Sequence, residues 1–312
     1  MSEENVIKNF NPDEIKTTKK KTNRKKKVID KKSEPANVNP FDSEESIKPA
    51  ESMFAPKIYP HKLVCGKHNY PNIKHINDDG TIYIRRFTML EENLFKKLAQ
   101  SYTLKKFFEV INKSIEGCVR SNIDIYKLSM IEQLNLFVRI YSLTFDGHIE
   151  QETKCENCEF TDKVDINIDK DVKTNYMTSK DFIIRDIKLT SYEEPFIIRI
   201  KYPTLEEQTI YIDEEVEWAN KIKLMVDRID NGLENGYQVK KDDYLDIITN
   251  INQVDKAKLK EFIKEITDNF GISFIVENKF VCENKKCNLY NKSQNVELDL
   301  ETFFKNIVIN IM

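Results

Sequence analysis

Four of the six cysteines fall in two short pairs, Cys155-Glu-Asn-Cys158 and Cys282-Glu-Asn-Lys-Lys-Cys287. Two thiolates spaced two to four residues apart on a tight turn supply one edge of the tetrahedron that a structural zinc requires, and two such turns complete it. The first pair meets that spacing. The second lies at its looser end, with Glu283, Asn284, Lys285 and Lys286 where a two-residue turn is expected. The expected ligand set is Cys155, Cys158, Cys282 and Cys287 around one structural zinc per chain, shared by both pairs. Two separately completed sites and plain unmetallated thiols are the alternatives. A redox role for Cys155-x-x-Cys158 requires a helix N-terminus to stabilise a thiolate, whereas the flanks of this pair alternate like strands.

The other chemistry-bearing residues read differently. Cys65 with His68 and His75 offers only three candidate ligands at a spacing that matches no common metal site, so a loop with a buried cysteine is expected there. Cys118, behind the apolar face that ends at Gly117, reads as packing. None of the seven glycines forms a phosphate cradle, and Gly66-Lys67 is followed by His68 rather than Ser or Thr. The acidic pairs Glu91/Glu92, Glu206/Glu207 and Asp242/Asp243 stand at predicted helix starts, where carboxylates complement the helix dipole. Neither catalytic nor small-molecule-binding residues are predicted, and a zinc with four protein sulfurs has no open position for substrate. The chain is therefore read as a protein that is not an enzyme.

The cysteine pairs need elements to hold them. Alternation of apolar and polar residues on both sides of Cys155–Cys158 predicts two antiparallel strands joined by a tight turn, and the same pattern returns around Cys282–Cys287. The two segments share Cys-Glu-Asn at the turn and a Val-x-(Ile/Leu)-x-(Ile/Leu) strand after it. Ahead of the first pair, TIYIRRF reads as a strand, followed by three amphipathic helices. Capping boxes at Thr88/Glu91 and Ser129/Glu132 open two of them, and the third helix places Ile131, Leu134, Val138, Tyr141 and Phe145 along one stripe. Between the pairs, DFIIRDIKL and PFIIRIKY read as strands. Residues 204–230 read as a long helix capped by Thr204 and Glu207, and helices follow near Asp242 and Asp255, the last ending at Gly271. The expected division is a strand and three-helix region at 56–147, a first cysteine hairpin with strands at 148–203, a helical insertion at 204–271, and a second cysteine hairpin with the C-terminal segment at 272–312. The fold class is α+β, a helical body carrying two zinc-ribbon-like β-hairpins.

Composition bounds the remainder. Charged residues are 32% of the 312, the net charge is -3, and no apolar run is long enough to cross a bilayer. The first residues lack a secretory pattern, so folding in a reducing compartment is expected, where disulfides are rare. Residues 16–32 carry ten Lys or Arg against the single acid Asp30. Such a stretch cannot bury enough apolar area to offset its ordering entropy, and 1–55 reads as a disordered basic tail. A basic block of this kind would bind nucleic acid with steep salt dependence. It has no aromatic residue within it, and the remainder of the chain is net acidic. A solvated tail or protein-docking arm is the preferred reading, with a zinc-ribbon nucleic-acid-binding protein as the alternative.

Taken in order, these features resemble the baseplate hub proteins of T-even-like contractile-tailed bacteriophages. The resemblance rests on TIYIRRFTMLEENLF, on IEQLNLFVRIYSLTFDGHI leading into KCENCEF, and on FIVENKFVCENKKC closing in VELDLETFF. It covers roughly residues 57–312 and departs from the family in the basic N-terminal extension and the widened second knuckle. The resemblance implies a hub component or hub-assembly factor whose partners are other tail and baseplate proteins. It would act in the host cytoplasm during assembly and in the virion tail baseplate. No catalytic residues come with it.

Overall fold

A computed structural model describes residues 56–100, 103–233 and 236–298. The predicted basic tail, 1–55, and the last residues of the C-terminal segment lie outside the described residues. β1 (Ile58–Lys62) runs antiparallel to β2 (Thr81–Arg85), with His61 opposite Ile82 and Tyr59 opposite Ile84. β2 buries Ile82 and Ile84 and leaves Tyr83 exposed, the alternation of a half-buried strand. β1 was not predicted. Its partner across the sheet, rather than its own short pattern around Pro60, makes it a strand.

α1 (Met89–Gln100), α2 (Leu104–Cys118) and α3 (Ile131–Thr144) follow. The Thr88/Glu91 capping pair forms as expected, with Thr88 N and Oγ1 each 2.7 Å from Glu91 Oε2. Glu91 also takes two hydrogen bonds from the Arg85 guanidinium, at 3.0 and 2.9 Å. Gly117 is required beside this pair, because a Cβ there would stand 2.5 Å from Glu91 Oε1. α2 starts at the cap Thr103, whose hydroxyl accepts from Lys106 N, and buries Phe107, Ile111, Ile115 and Cys118 on one stripe.

The second predicted capping box does not form. Glu132 turns inward, and its carboxylate accepts hydrogen bonds from Val64 N and Cys65 N, each at 2.8 Å. α3 instead begins at Met130 without a side-chain cap. It is buried around most of its circumference, including Leu136, Phe137 and Ile140 beyond the expected stripe, while Leu134 is only half-buried. Phe87, Phe95 and Phe137 pack around one another at ring separations of 5.7 to 6.2 Å beside it.

After Gly147, β3 (His148–Lys154) and β4 (Thr161–Asn167) form a regular antiparallel hairpin, paired from His148↔Asn167 to Lys154↔Thr161. α4 (Ile168–Asp171) and β5 (Thr174–Asn175) come next, then β6 (Ile184–Lys188) and β7 (Phe196–Lys201) where strands were predicted. The long helix expected over 204–230 is corrected by the structure. It divides into α5 (Gln208–Tyr211), α6 (Trp218–Met225) and a strand, β8 (Val226–Asn231), that pairs with β7 to complete a three-stranded antiparallel sheet. Thr204 N and Oγ1 do both donate to Glu207 Oε2, at 2.9 and 3.0 Å, but this pair closes a turn ahead of a one-turn helix.

α7 (Tyr244–Thr249) and α8 (Gln253–Asn269) follow, the latter capped by Asn252. Gly271, at φ +94, ends it and opens β9 (Gly271–Ile272); a Cβ here would approach Ile131 to 3.1 Å, so glycine lets the chain lie against α3. β10 (Ile275–Val281) and β11 (Ser293–Glu297) make the second hairpin, irregular between Val276 and Phe280, where Asn278 takes φ +55. The described residues are thus a mixture of helices and small antiparallel sheets, an α+β fold, and all belong to one compact unit.

The pairing of β5 with β9 decides where the cysteines go. β5 follows the first hairpin and β9 precedes the second, so this short ladder sets the two hairpins side by side. Ser273 N donates to Lys173 O at 2.8 Å, Lys279 pairs with Asp171 at 2.6 Å, and Gln151 Nε2 donates to Glu297 O at 2.8 Å. Phe160 and Phe280 meet beneath the turns at a ring separation of 6.1 Å.

Candidate metal centre

The first turn is closed by Cys155 N donating to Phe160 O at 2.8 Å, which folds the chain back so that Cys155 and Cys158 project together. In the second turn the two extra residues are absorbed locally. Cys287 N donates to Asn284 O at 2.8 Å and Lys286 N to Asn284 Oδ1 at 3.0 Å, an Asx turn that loops Lys285 and Lys286 outward and returns Cys287 beside Cys282.

The four Sγ atoms all lie within 4.8 Å of one another. Two of the pairs run between hairpins, Cys155 to Cys287 at 3.8 Å and Cys158 to Cys282 at 3.7 Å. A disulfide would bring sulfurs to about 2.05 Å, and all four cysteines are free thiols. A zinc–sulfur bond of about 2.3 Å places tetrahedral sulfurs about 3.8 Å apart, which these spacings fit. Cys155, Cys282 and Cys287 are buried and Cys158 is half-buried.

Nitrogen donors surround the sulfurs. Cys155 Sγ receives Asn157 N and Gln294 Nε2, both at 3.5 Å, and Cys287 Sγ receives Leu289 N at 3.3 Å and Asn157 Nδ2 at 3.5 Å. Asn284 Nδ2 reaches Cys158 Sγ at 3.5 Å. Burial pushes the Cys155 thiol up, but the donors aimed at it prevail and lower it; the Asn157 amide and Leu289 N–H lower Cys287 as well. Burial and the neighbouring sulfurs raise Cys282. Four thiols this close cannot all ionise unaided, whereas a divalent cation among them would let them do so.

Sequence reasoning missed Asn157, Asn284 and Gln294 as sulfur donors. The signal was present in the repeated Cys-Glu-Asn, which spacing alone marks only as an echo. Cys65, His68 and His75 do not converge, and among the described residues the four-cysteine group is the only set of three or more such side chains that does. Cys65 is buried in a loop, and its N–H donates to Glu132. Cys118 is buried against the Arg85 guanidinium at 3.6 Å. No helix among the described residues is long and apolar enough to cross a membrane.

Comparison with known families places this arrangement in context. A family model described as T4 bacteriophage base plate protein matches residues 68–305. Neither the curated proteins nor the solved structures contain a match. The matched span covers well over half of the chain and takes in α1, the central helix α3 and both cysteine hairpins. On that match the chain belongs to the T4 bacteriophage base plate protein family.

Proposed function

We propose that this protein is a hub component, or a hub-assembly factor, of a contractile-tail baseplate, and that it acts through protein contacts rather than catalysis. The family match supports the baseplate role. Its partners are other tail and baseplate proteins, and its places are the host cytoplasm during assembly and the virion tail. One structural zinc, held by Cys155, Cys158, Cys282 and Cys287, ties the two hairpins as paired zinc ribbons. The observation that carries this reading is the convergence of four Sγ atoms within 4.8 Å from turns that the chain separates widely. Four sulfurs fill a tetrahedral zinc and leave no position for substrate, so the metal is a staple that stiffens an assembly surface. The nucleic-acid reading rests on residues 16–32, outside the described residues, and no observation favours it.

Two measurements test the proposal. Affinity-tagged protein isolated from infected cells should carry baseplate or tail proteins with it, and isolation without any of them would overturn the hub role. Elemental analysis of protein purified without added metal should give one zinc per chain; folded protein with none would remove the staple.

A further inference from the structure

The two asparagines of the repeated Cys-Glu-Asn turns occupy matching positions, and each reaches across to the other hairpin. Asn157 donates its side-chain amide to Cys287 Sγ, and Asn284 donates to Cys158 Sγ, both at 3.5 Å. The exchange is reciprocal: Cys155 corresponds to Cys282, Asn157 to Asn284, and Cys158 to Cys287, with Lys285 and Lys286 the only surplus. Because the widened turn closes between Asn284 and Cys287, the surplus falls after Asn284 and leaves it in register.

The amide orientations are set by their surroundings. Asn284 Oδ1 already accepts from Lys286 N at 3.0 Å, so its Nδ2 is the group left to face sulfur. At Asn157 a carbonyl oxygen turned toward Cys287 would be repelled by a thiolate, whereas the NH2 is attracted. Each amide also serves a sulfur that lies close to its own hairpin's first cysteine. Asn157 binds Cys287, the 3.8 Å neighbour of Cys155, and Asn284 binds Cys158, the 3.7 Å neighbour of Cys282. Neither hairpin can then withdraw its cysteines without breaking an amide contact from the other.

We propose that Asn157 and Asn284 are reciprocal positioning residues of the metal centre, which lock the two cysteine turns into one site and slow the release of its zinc. The inference rests on the zinc reading above. Neutral amide donors spread the excess negative charge of a four-thiolate zinc without adding charge of their own. Groups that hold metal ligands in this way typically account for about 10–100-fold in metal affinity. Gln294 adds a third side-chain donor, to Cys155, and anchors it by accepting from Glu156 N at 3.0 Å.

The test uses the full chain loaded with zinc, as wild type, Asn157→Ala, Asn284→Ala and the double variant. Zinc transfer to a chromogenic chelator is timed, the sulfur-to-metal charge-transfer band is recorded after cobalt substitution, and thermal melting with zinc present monitors the fold. Each single variant should release zinc about 10-fold faster or more, by similar factors, with a shifted cobalt band. Asn284→Asp keeps the oxygen that closes the turn and replaces the donor with a negative oxygen. It should release zinc at least as fast as Asn284→Ala, which a purely turn-forming role would not produce, and Asn157→Asp serves if the Ala variants fail to fold. Wild-type release rates and an unmoved cobalt band in both single variants would overturn the proposal. An effect at one asparagine alone would overturn its reciprocity. A wild-type protein that holds no metal would instead remove the zinc reading and this inference with it.

Discussion

The Sγ atoms of Cys155 and Cys287 stand 3.8 Å apart although 132 positions of sequence separate them. Their approach depends on the β5–β9 ladder and on ion pairs such as Lys279–Asp171 that align the hairpins. A metal at this point would constrain a long loop in the unfolded chain as well as fill a site in the folded one. Cys155→Ser and Cys287→Ser should therefore lower the melting temperature by similar amounts and abolish bound zinc alike. The double variant should be little worse than either, because both remove the same interaction. Chelation should bring wild type down to the level of the variants and leave the variants unchanged. Zinc contributes about 10–16 kcal/mol of apparent binding energy in small zinc-folded peptides, so a drop of many degrees is expected by calorimetry. Unequal losses from the two substitutions would separate the knuckles into different sites.

Arg85 and Glu91 form a buried pair that joins β2 to the first turn of α1, with both side chains 5% exposed. Burial alone would push Glu91 up, but the hydrogen bonds from Arg85 and Thr88 overcome it and hold the carboxyl at about 2. Asp255 is likewise held at about 2, against burial, by Lys258, Ser191 and Thr190. A depressed carboxyl contributes stability that is fully present above its unfolded value, about 4, and is lost as pH falls through the folded value. Acid titration of the wild type should thus show stability falling between about pH 4 and pH 2. Arg85→Met leaves Glu91 without its countercharge and should cost about 3–5 kcal/mol in urea unfolding at neutral pH. A cost within experimental error of zero would show that solvent replaces the pair.

The extent to which the sequence announced this architecture follows from how local each signal is. The cysteine turns, their flanking strands, β2, β6, β7 and the helix from Gln253 are written in short-range periodicity and caps. Three features depend on distant partners and were hidden. In 204–230, Trp218, Ile222 and Val226 keep helical spacing, and Ile229 continues it, yet the chain changes to β8 at Val226 because β7 offers an open edge. Ser129 and Glu132 have the residue types of a capping box, but the Val64 and Cys65 N–H groups claim the carboxylate. The asparagine donors needed the second hairpin in place before their targets existed. The union of the two cysteine pairs was legible as a ligand count, since four thiolates complete a tetrahedron, while the means of union, β5 against β9, involves strands of two residues that carry no pattern.

Asp255 fixes the start of α8 to the turn between β6 and β7. It is fully buried and accepts from Thr190 N at 2.6 Å, Thr190 Oγ1 at 3.0 Å and Ser191 N at 2.8 Å, while Lys258 pairs with it at 2.8 Å. Asp255→Asn keeps the shape but turns an NH2 toward some of these donors. Hydrogen bonds to charged groups contribute about 1.5–3 kcal/mol each, so a loss of at least that size is expected in urea unfolding. Lys258→Met, which removes the half-exposed partner but keeps the turn's donors on the buried carboxylate, should cost less than Asp255→Asn. The reverse ranking would assign the anchoring to the ion pair instead of the turn.

Glu132 holds the loop at Val64–Cys65 onto α3 from a position with no solvent exposure, and Tyr70 donates to it at 3.2 Å. Burial raises its carboxyl above the ordinary value, and the N–H groups of Cys65 and Val64 oppose that rise without cancelling it. Glu132→Gln presents an NH2 to one of the two backbone donors, and an unsatisfied buried group costs about 1–3 kcal/mol. The pH dependence has the opposite sign from that of Glu91. A raised carboxyl contributes stability that is fully present below its unfolded value and is lost as pH rises through the folded value. The advantage of wild type over Glu132→Gln should therefore be largest in mild acid and shrink toward alkaline pH, read as the difference between their urea midpoints across the series. A difference that grows with pH would mean that the two backbone N–H groups outweigh burial and hold Glu132 ionised in the core.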